Sequence, residues 1–480
     1  MKAKWTWEAK RQAESLNAMI DEVGATPHVV QEDNSADARL PLQRDRDRII
    51  WSPSFKRLAH KTQVFPHLYS DHQRHRLTHS LEVMQLASSI ARTLGLNPIL
   101  CEAIAFAHDL GHTPFGHAGE STIDDAFRCI KLVDKDANVR GLERFSHYEH
   151  GIDIVSYIDS PDPERQADGL HLAPDILEGI FLHTYDHHPA NPQKHKNLAF
   201  LKKYTKYDFL RNIGPGSLEA QAVRICDKIT YFISDIEDGL IIEAINLDQL
   251  SPWKKTLFRP VFDLAARRLS KDDQYRVFRS ARDSILTYVV TSLLRRGCGG
   301  DPKTIRIEPE EFVKEELKDV YHDLQSRMFD DNIYLLRANH RANHIVSCLL
   351  CQYFRHPELI PWRFRRKYQL FEDNAYHETL AKLYLRKKQK DGLRAMVDLN
   401  LMAWHAERFE KYEVCNEPRY NLVKGRTISQ VICVKDYVAG MTDNYAEVRY
   451  RDDVDCPTSR RTWEARNMAK TTYYDIATIV

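Results

Sequence analysis

Apolar residues recur at three- and four-residue spacing through much of the chain, which predicts amphipathic helices. The segments with this pattern are 80–94, 99–110, 218–245 and 312–330. The alternation typical of strands is sparse and is confined to 431–434, which reads VICV, and to part of 445–450. The pattern therefore predicts an all-α protein with room for one short β-hairpin.

Composition limits the class of protein. The 480 residues carry 69 Lys and Arg against 68 Asp and Glu, so the net charge of +1 gives no whole-chain argument for nucleic-acid coating. A hydrophobic content of 43% can fill a sizeable core, which excludes disorder over most of the length. No apolar run approaches the roughly 18 residues of a membrane span, and the first residues lack the apolar block of a signal peptide. We therefore expect a soluble, cytoplasmic protein that makes no membrane contact.

The length allows one large domain or two to three ordinary ones. The segment 297–304 contains Gly297, Gly299 and Gly300 and is the best candidate boundary. We predict a core over 1–300 and a mostly helical C-terminal region over 301–480 that completes it.

Four residues on helix-like segments stand out chemically: His79, the adjacent pair His108-Asp109, and Asp227. They belong to a histidine-rich chain, with 14 of its 22 histidines between His60 and His188. An adjacent His-Asp pair with apolar neighbours is costly to bury unless a partner satisfies both groups. A divalent cation would do so, and two imidazoles with two carboxylates suit Mn, Fe, Ni, Zn or Mg.

Three further polar residues follow His108 closely. His112 lies about one helical turn beyond it, and Thr113-Pro114 and Gly116 should then break the helix. His117 and Glu120 would sit on the turn that folds back over the metal. A Glu that hydrogen-bonds an imidazole fixes its tautomer and raises its basicity, which is an arrangement of general acid–base catalysis.

A second stripe begins at Asp227. Tyr231 and Asp235 follow at spacings of four, so all three share one helix face. If Asp227 binds the metal, Tyr231 can pack on a sugar ring and Asp235 can accept a hydrogen bond from a hydroxyl. Lys228 could reach a phosphate.

Seven sequence blocks, in order, carry a resemblance to a known family. They are KRLAHKTQVFP at 56–66, RLTHSLEV at 76–83, AHDLGHTPFGHAGE at 107–120, YEHG at 148–151, LEGIFLH at 177–183, DIEDGL at 235–240 and DYVAGMTDNYA at 436–446. Together they resemble the HD-domain deoxynucleoside triphosphate triphosphohydrolases, often called dGTPases. Two departures are the GLHL at 169–172, where a GLNL-type segment is expected, and Asn444, where an arginine is expected.

The resemblance implies a helical HD-domain bundle with the metal between helices, and attack of water on the α-phosphorus that releases a deoxynucleoside and intact triphosphate. The metal would be Mn or Mg first, with Ni, Fe, Zn or Co as further candidates. The resemblance also implies a homo-oligomer, tetramer or hexamer, with subunit contacts from 301–480, and dGTP as the default substrate. The roles it assigns are metal ligands (His79, His108, Asp109, Asp227), catalytic groups (His117, its partner Glu120, and His112 near the phosphates) and substrate-binding groups (Gln63, Arg76, Lys203, Tyr204, Lys228, Tyr231, Asp235).

Two alternatives stay open at this point. One is an HD nucleotidase or phosphodiesterase that acts on monophosphates or cyclic messengers. The other is a nucleic-acid-binding regulator with a vestigial site, which would use the basic clusters at 363–367 and 386–390. Single-stranded DNA or a second dNTP could also act as an effector of an enzyme.

Overall fold

A computed structural model describes the parts of the chain that carry most of these motifs. The described residues are 39–64, 74–134, 139–141, 145–159, 169–184, 217–243, 245–246, 274–296, 332–369, 412–414 and 428–455, with 263, 307, 313, 315, 317 and 319 as single positions. Lys203, Tyr204 and the predicted boundary at 297–304 lie outside them. The division into 1–300 and 301–480 stays a prediction.

Helices dominate the described residues, which confirms the predicted all-α class. They are α1 (Pro41–Trp51), α2 (Pro53–Arg57), α3 (Arg76–Leu94), α4 (Pro98–Ala107), α5 (Gly116–Cys129), α6 (His147–Asp153), α7 (Pro174–Leu182), α8 (Leu218–Ile241), α9 (Gln274–Arg296), α10 (Ile333–Arg355), α11 (Trp362–Gln369), α12 (Ile428–Ala439) and α13 (Asp443–Tyr450). Short 3₁₀ turns cover Leu58–His60 and Pro357–Leu359, and single π turns cover Ile154–Ile158 and Arg451–Asp455.

The predicted strands at 431–434 and 445–450 are wrong, because these segments lie within α12 and α13. Val431, Ile432, Cys433 and Val434 are all buried, so helix α12 is apolar around its circumference there. A short run of buried apolar residues reads alike in a buried helix and a strand. The small sheet lies elsewhere, in the order β2-β1-β3, where antiparallel β1 (Lys131–Asp134) pairs with β2 (Val139–Gly141) and β3 (Tyr412–Val414).

Local sequence fixes where the core helices begin and end. The Asn97 side chain accepts from the amides of Ile99 and Leu100, with Pro98 at the first position of α4. The Ser217 hydroxyl caps α8 by accepting from the Ala220 amide. Helix α3 ends at Gly95 in the left-handed conformation that glycine adopts freely. These caps set the register of the helices that carry the metal-ligand candidates.

The helices α3, α4, α7 and α8 pack around one apolar core. A methyl group added at Gly179 of α7 would lie 2.6 Å from the Ile104 side chain of α4, so only glycine allows this approach. A methyl group at Gly111 would lie 1.8 Å from the carbonyl oxygen of His147. The turn after α4 is thereby pressed against the start of α6, and the polar ends of several helices meet there.

Three acidic side chains, those of Asp175, Glu178 and Glu219, are buried where α7 meets α8. Burial raises the pKa of Asp175 to about 7. Burial and the neighbouring Asp175 carboxyl raise the pKa of Glu178 to about 8. Burial also raises the pKa of Glu219, whose carboxylate accepts from the Asn97 amide at 3.0 Å. Between the ordinary carboxyl pKa values near 4 and about pH 7, Asp175 and Glu178 therefore hold protons in the folded state that they lose in the unfolded chain.

No helix in the described ranges is both long and apolar enough to cross a bilayer.

We predict that the buried carboxyl pair makes the protein less stable as the pH rises. Because the folded-state pKa values are raised, their stabilising effect is complete below the ordinary pKa values near 4 and is lost as the pH rises through about 7 to 8. The free energy of unfolding should fall by several kcal/mol over this range, because one unit of pKa shift corresponds to about 1.4 kcal/mol, and urea titration at a series of pH values measures the fall. Glu178→Gln should flatten this slope, whereas Asp125→Asn, on an exposed carboxylate, should leave it unchanged. Parallel slopes for the wild type and Glu178→Gln would contradict the prediction.

Candidate metal centre and active site

The four metal-ligand candidates converge although they lie far apart in sequence. His79 comes from α3, His108-Asp109 follows α4, and Asp227 comes from α8. His79 Nε2 lies 2.8 Å from Asp227 Oδ1. His108 Nε2 lies 3.5 Å from Asp109 Oδ1 and 3.6 Å from Asp227 Oδ1. Ligand atoms of His79, His108 and Asp109 lie within 4.8 Å of one another, a spacing suited to one shared ion.

The tautomer of His108 is set by the backbone. Its Nδ1–H donates to the Ala105 carbonyl oxygen at 2.7 Å, so in the neutral ring Nε2 carries a lone pair. Within the described part of the chain, no donor reaches this buried Nε2, and two carboxylates face it. A lone pair facing carboxylate oxygens is repulsive unless a proton or a cation lies between them, and a divalent metal can take the place of that proton. The residues therefore fit a divalent metal, with the backbone bond orienting His108 from behind.

The electrostatics of the site favour positive charge. Burial would lower the pKa of His108, but the Asp109 and Asp227 carboxylates outweigh it and raise the pKa to about 9. Burial would raise the pKa of Asp227, but His108 and His79 hold it well below the usual range. Both carboxylates are thus ionised at neutral pH and available as metal ligands.

The guanidinium of Arg76 binds the outer side of Asp109. Arg76 is 2% exposed, and its Nη1 donates to Asp109 Oδ2 at 3.0 Å. Its Nη2 donates to the Gln63 carbonyl oxygen at 3.3 Å. Arg76, expected near the phosphates, therefore also fixes the carboxylate whose other oxygen faces the metal position.

His112 links this centre to a second group of histidines. Its Nε2 lies 3.1 Å from Asp109 Oδ1, and its ring stacks on His147 with 3.9 Å between centroids and 13° between planes. Burial lowers the pKa of His112 well below its ordinary value, and the Arg76 guanidinium and His147 lower it further. The imidazole is therefore neutral and can donate from Nε2 to Asp109.

The predicted pair His117 and Glu120 lies on the first turns of α5. His117 Nδ1 lies 3.3 Å from Glu120 Oε2, and the His117 side chain is 65% exposed. The other carboxylate oxygen, Oε1, accepts from the backbone amide and from Nδ1 of His147, each at 2.8 Å. Burial would raise the pKa of Glu120, but His147 and His117 hold it far below the usual range. Glu120 is therefore a carboxylate that orients two imidazoles at once.

Two histidines of the site, His147 and His183, were missed by sequence reasoning. His183 Nδ1–H donates to the Ile180 carbonyl oxygen at 2.6 Å, and its Nε2 lies 3.3 Å from His147 Nε2. Burial lowers the pKa of His183 to about 3, with His108 and His147 adding to the effect, so its Nε2 is an acceptor. Their positions in the sequence could have indicated both residues. His147 directly precedes the block at 148–151, and His183 is the last residue of the block at 177–183.

Among the described residues, two other groups could hold an ion by distance alone. In the first (His112, Glu120, His147) the two rings are stacked nearly parallel, so their in-plane lone pairs cannot converge on one ion. In the second (His150, Asp153, Asp436) the Lys435 ammonium lies 2.8 Å from each carboxylate and already supplies the positive charge. Of the three groups in the described ranges, the one containing His79, His108 and Asp109 fits a metal.

The predicted sugar-side residues lie beyond Asp227 along α8. Tyr231 is half-buried and its hydroxyl hydrogen-bonds Asp235. Burial and the Asp238 carboxylate raise the pKa of Asp235 well above its ordinary value, so this carboxyl can donate as well as accept. The buried Gln63 Oε1 meets no donor among the described residues. Lys228 is exposed on the same helix.

Comparisons with known proteins agree with this geometry. The HD domain family matches residues 76–231, the span that contains all four ligand candidates. A deoxyguanosinetriphosphate triphosphohydrolase-like protein of Syntrophus aciditrophicus is 30% identical over 431 residues, which are 85% of this chain and 96% of the relative. The chain belongs to the deoxyguanosinetriphosphate triphosphohydrolase-like family of HD-domain proteins.

Other members of this family extend the comparison. A relative of the same name from Brucella suis is 33% identical over 393 residues, covering 78% of this chain and 90% of the relative. One from Nitrosomonas europaea is 30% identical over 383 residues, covering 74% and 93%. The resemblance carried by the sequence blocks is therefore confirmed. Family membership and the His/Asp group together make the chain a metal-dependent phosphohydrolase of the HD type.

Removal of one carboxylate ligand should abolish metal binding. We expect Asp227→Ala to weaken Mn²⁺ binding by at least about 100-fold, because an oxygen ligand and the partner of His79 are both lost. Equilibrium dialysis with metal analysis measures this. Asp235→Asn, two turns along the same helix, is the control and should keep the wild-type affinity for Mn²⁺. Stoichiometric Mn²⁺ in Asp227→Ala at wild-type affinity would place the metal elsewhere.

Proposed function

We propose that the protein hydrolyses deoxynucleoside triphosphates, with dGTP as the default substrate, to a deoxynucleoside and inorganic triphosphate. The observation that carries this proposal is a continuous connection between two chemical units. Asp109 belongs to the metal group and bonds His112, which stacks on His147, and His147 bonds the Glu120 that orients His117. The substrate class is supported by the name of its relatives in Syntrophus aciditrophicus and Brucella suis, deoxyguanosinetriphosphate triphosphohydrolase-like proteins.

The metal would be held by His79, His108, Asp109 and Asp227. Mn²⁺ or Mg²⁺ is our first assignment, and Ni, Fe, Zn or Co would also suit this mixed nitrogen and oxygen set. When bound, the ion supplies charge stabilisation at the α-phosphate. Arg76 fixes Asp109, and Lys228, with Lys203 and Tyr204 as the resemblance implies, would contact the phosphates.

His117 is the proposed acid–base residue. Water attacks the α-phosphorus, the bond to the sugar 5′-oxygen breaks, and the water oxygen stays on the triphosphate with one of its protons. The other water proton is released and replaces the one that His117 gives to the leaving group. The leaving 5′-oxygen needs a proton, which His117 can supply from Nε2 while Nδ1 is bonded to Glu120. The ionised Glu120 orients the imidazole for this transfer.

The sugar would be read by Gln63, Tyr231 and Asp235. Gln63 and Asp235 can each exchange hydrogen bonds with the 3′-hydroxyl, and the Tyr231 ring would leave no room for a 2′-hydroxyl. Steric exclusion alone discriminates modestly, so the preference depends on how tightly this ring packs. Assembly into a tetramer or hexamer, and regulation by a second dNTP or by single-stranded DNA, remain part of the proposal from the family resemblance.

Product analysis tests the proposal directly. The protein is incubated with each dNTP, with mixed dNTPs and with GTP in the presence of Mn²⁺ or Mg²⁺, and the products are separated. We expect deoxynucleoside and intact triphosphate from a dNTP, with GTP spared. Monophosphate and pyrophosphate would instead favour the nucleotidase or phosphodiesterase class. Salt-dependent DNA binding with no product from any mixture would favour a regulator with a vestigial site.

Loss of the His117 imidazole should separate chemistry from metal binding. We expect His117→Ala to lower kcat by about 100-fold or more, the usual range for a general acid or base, with unchanged Mn²⁺ content. The exposed His356, which pairs with Glu358 at 3.0 Å, provides the matched control His356→Ala, which should keep wild-type activity. Full activity of His117→Ala would contradict the assignment.

A further inference from the structure

The carboxylate of Asp443 bonds two separate active-site segments. Its Oδ1 accepts from the Phe115 amide at 2.8 Å. Its Oδ2 accepts from the Thr62 amide at 2.9 Å and from the Thr62 hydroxyl. Asp443 is 9% exposed and lies in the first turn of α13, more than 300 positions along the chain from either partner. One buried carboxylate thus joins three donors from two segments.

The Phe115 end of this contact is a backbone turn that needs support. Phe115 has φ 60° and Gly116 has φ 59°, so two consecutive residues are left-handed. This conformation is unfavourable for a phenylalanine and persists where the surroundings hold it. Helix α5 begins at Gly116, so the turn sets the position of His117 and, one turn later, of Glu120. The Thr113 hydroxyl also supports it by donating to the Gly116 carbonyl oxygen at 2.9 Å.

The Thr62 end lies beside the proposed sugar-binding residue Gln63. A methyl group at Gly116 would lie 3.3 Å from Arg76 Nη2 and 3.5 Å from the Gln63 carbonyl oxygen, so the two segments are also in direct contact. A parallel connection runs from Lys61, whose ammonium donates to the carbonyl oxygens of His112 and Ala439. The C-terminal residues 439–443 therefore fasten the Lys61–Gln63 segment to the His112–Gly116 turn.

We infer that Asp443 is a positioning residue that holds the acid–base histidine His117 in register with the sugar-side residue Gln63. The catalytic consequence of this inference rests on the proposed function. The hydrogen bonds of Asp443 to Phe115 and Thr62 do not depend on it. Asparagine at position 443 would keep the size of the side chain. Its NH₂ group would then face either the Phe115 amide or the two donors of Thr62. The bond to Phe115 or the bonds to Thr62 would then be lost.

The test compares Asp443→Asn with a matched control, Asp453→Asn. Asp453 is a buried carboxylate in the same C-terminal region that accepts from the Tyr353 hydroxyl at 2.7 Å and contacts neither active-site segment in the described part of the chain. Hydrogen exchange of the Thr62 and Phe115 amides, Mn²⁺ content, KM and kcat are measured for both full-length variants. If Asp443→Asn folds poorly, the variant Thr62→Val takes its place in the measurements of hydrogen exchange and kcat. This variant removes one hydrogen-bond donor to Asp443, the Thr62 hydroxyl.

In Asp443→Asn we expect exchange at Thr62 or Phe115 to be about 10- to 100-fold faster. We also expect kcat to be about 10- to 100-fold lower, with Mn²⁺ content unchanged and KM within about threefold of wild type. Thr62→Val should shift exchange and kcat in the same direction by about threefold. Asp453→Asn should keep wild-type kcat and exchange at both amides.

Wild-type exchange in Asp443→Asn, or a kcat equal to that of Asp453→Asn, would overturn the inference. Hydrogen exchange is measured without turnover. If the wild type hydrolyses no dNTP, the proposed function is refuted, and the exchange rates still show whether Asp443 holds the Thr62 and Phe115 amides.

Discussion

Two imidazoles and two carboxylates meet in a buried space between α3, the end of α4 and α8, and the two carboxylates make this space favour positive charge. The backbone bond from His108 Nδ1 to Ala105 turns the other ring nitrogen toward Asp109 and Asp227. Much of the surrounding polar architecture follows from this preference. Arg76 holds the outer oxygen of Asp109, and the neutral His112 donates to the inner one, so the carboxylate stays ionised and fixed.

The centre is connected to the surface by a row of imidazole rings and carboxylates that begins at Asp109. His112 stacks on His147, His147 bonds Glu120, and Glu120 orients the exposed His117. Glu120 accepts from the backbone amide and from Nδ1 of His147 and also faces His117, so this buried carboxylate has the hydrogen bonds that make its burial tolerable. Acid–base chemistry at His117 is thereby tied to the same rigid network that holds the metal ligands.

Much of the fold and the core of the site could be predicted from sequence, and the failures have physical causes. The helices around 80–94, 99–110 and 218–245 were predicted because one face of each is apolar, and the structure confirms them. The strand prediction at 431–434 failed because α12 is buried on all sides there, which removes the periodicity. His147 and His183 were missed because a histidine gains its role from the ring beside it, here 3.3 Å away and 36 positions distant in sequence.

The sequence by itself determined the all-helical class, the family and the identity of the groups that can bind a metal, because helical periodicity and short ordered motifs are local properties of the chain. The tertiary structure decided which nitrogen of His108 faces the carboxylates, that Glu120 serves two imidazoles, and that Asp443 joins Thr62 to Phe115. These are contacts between segments up to 381 positions apart. They depend on how the helices pack, because side-chain direction and hydrogen-bond geometry across such separations are fixed only when the core has formed.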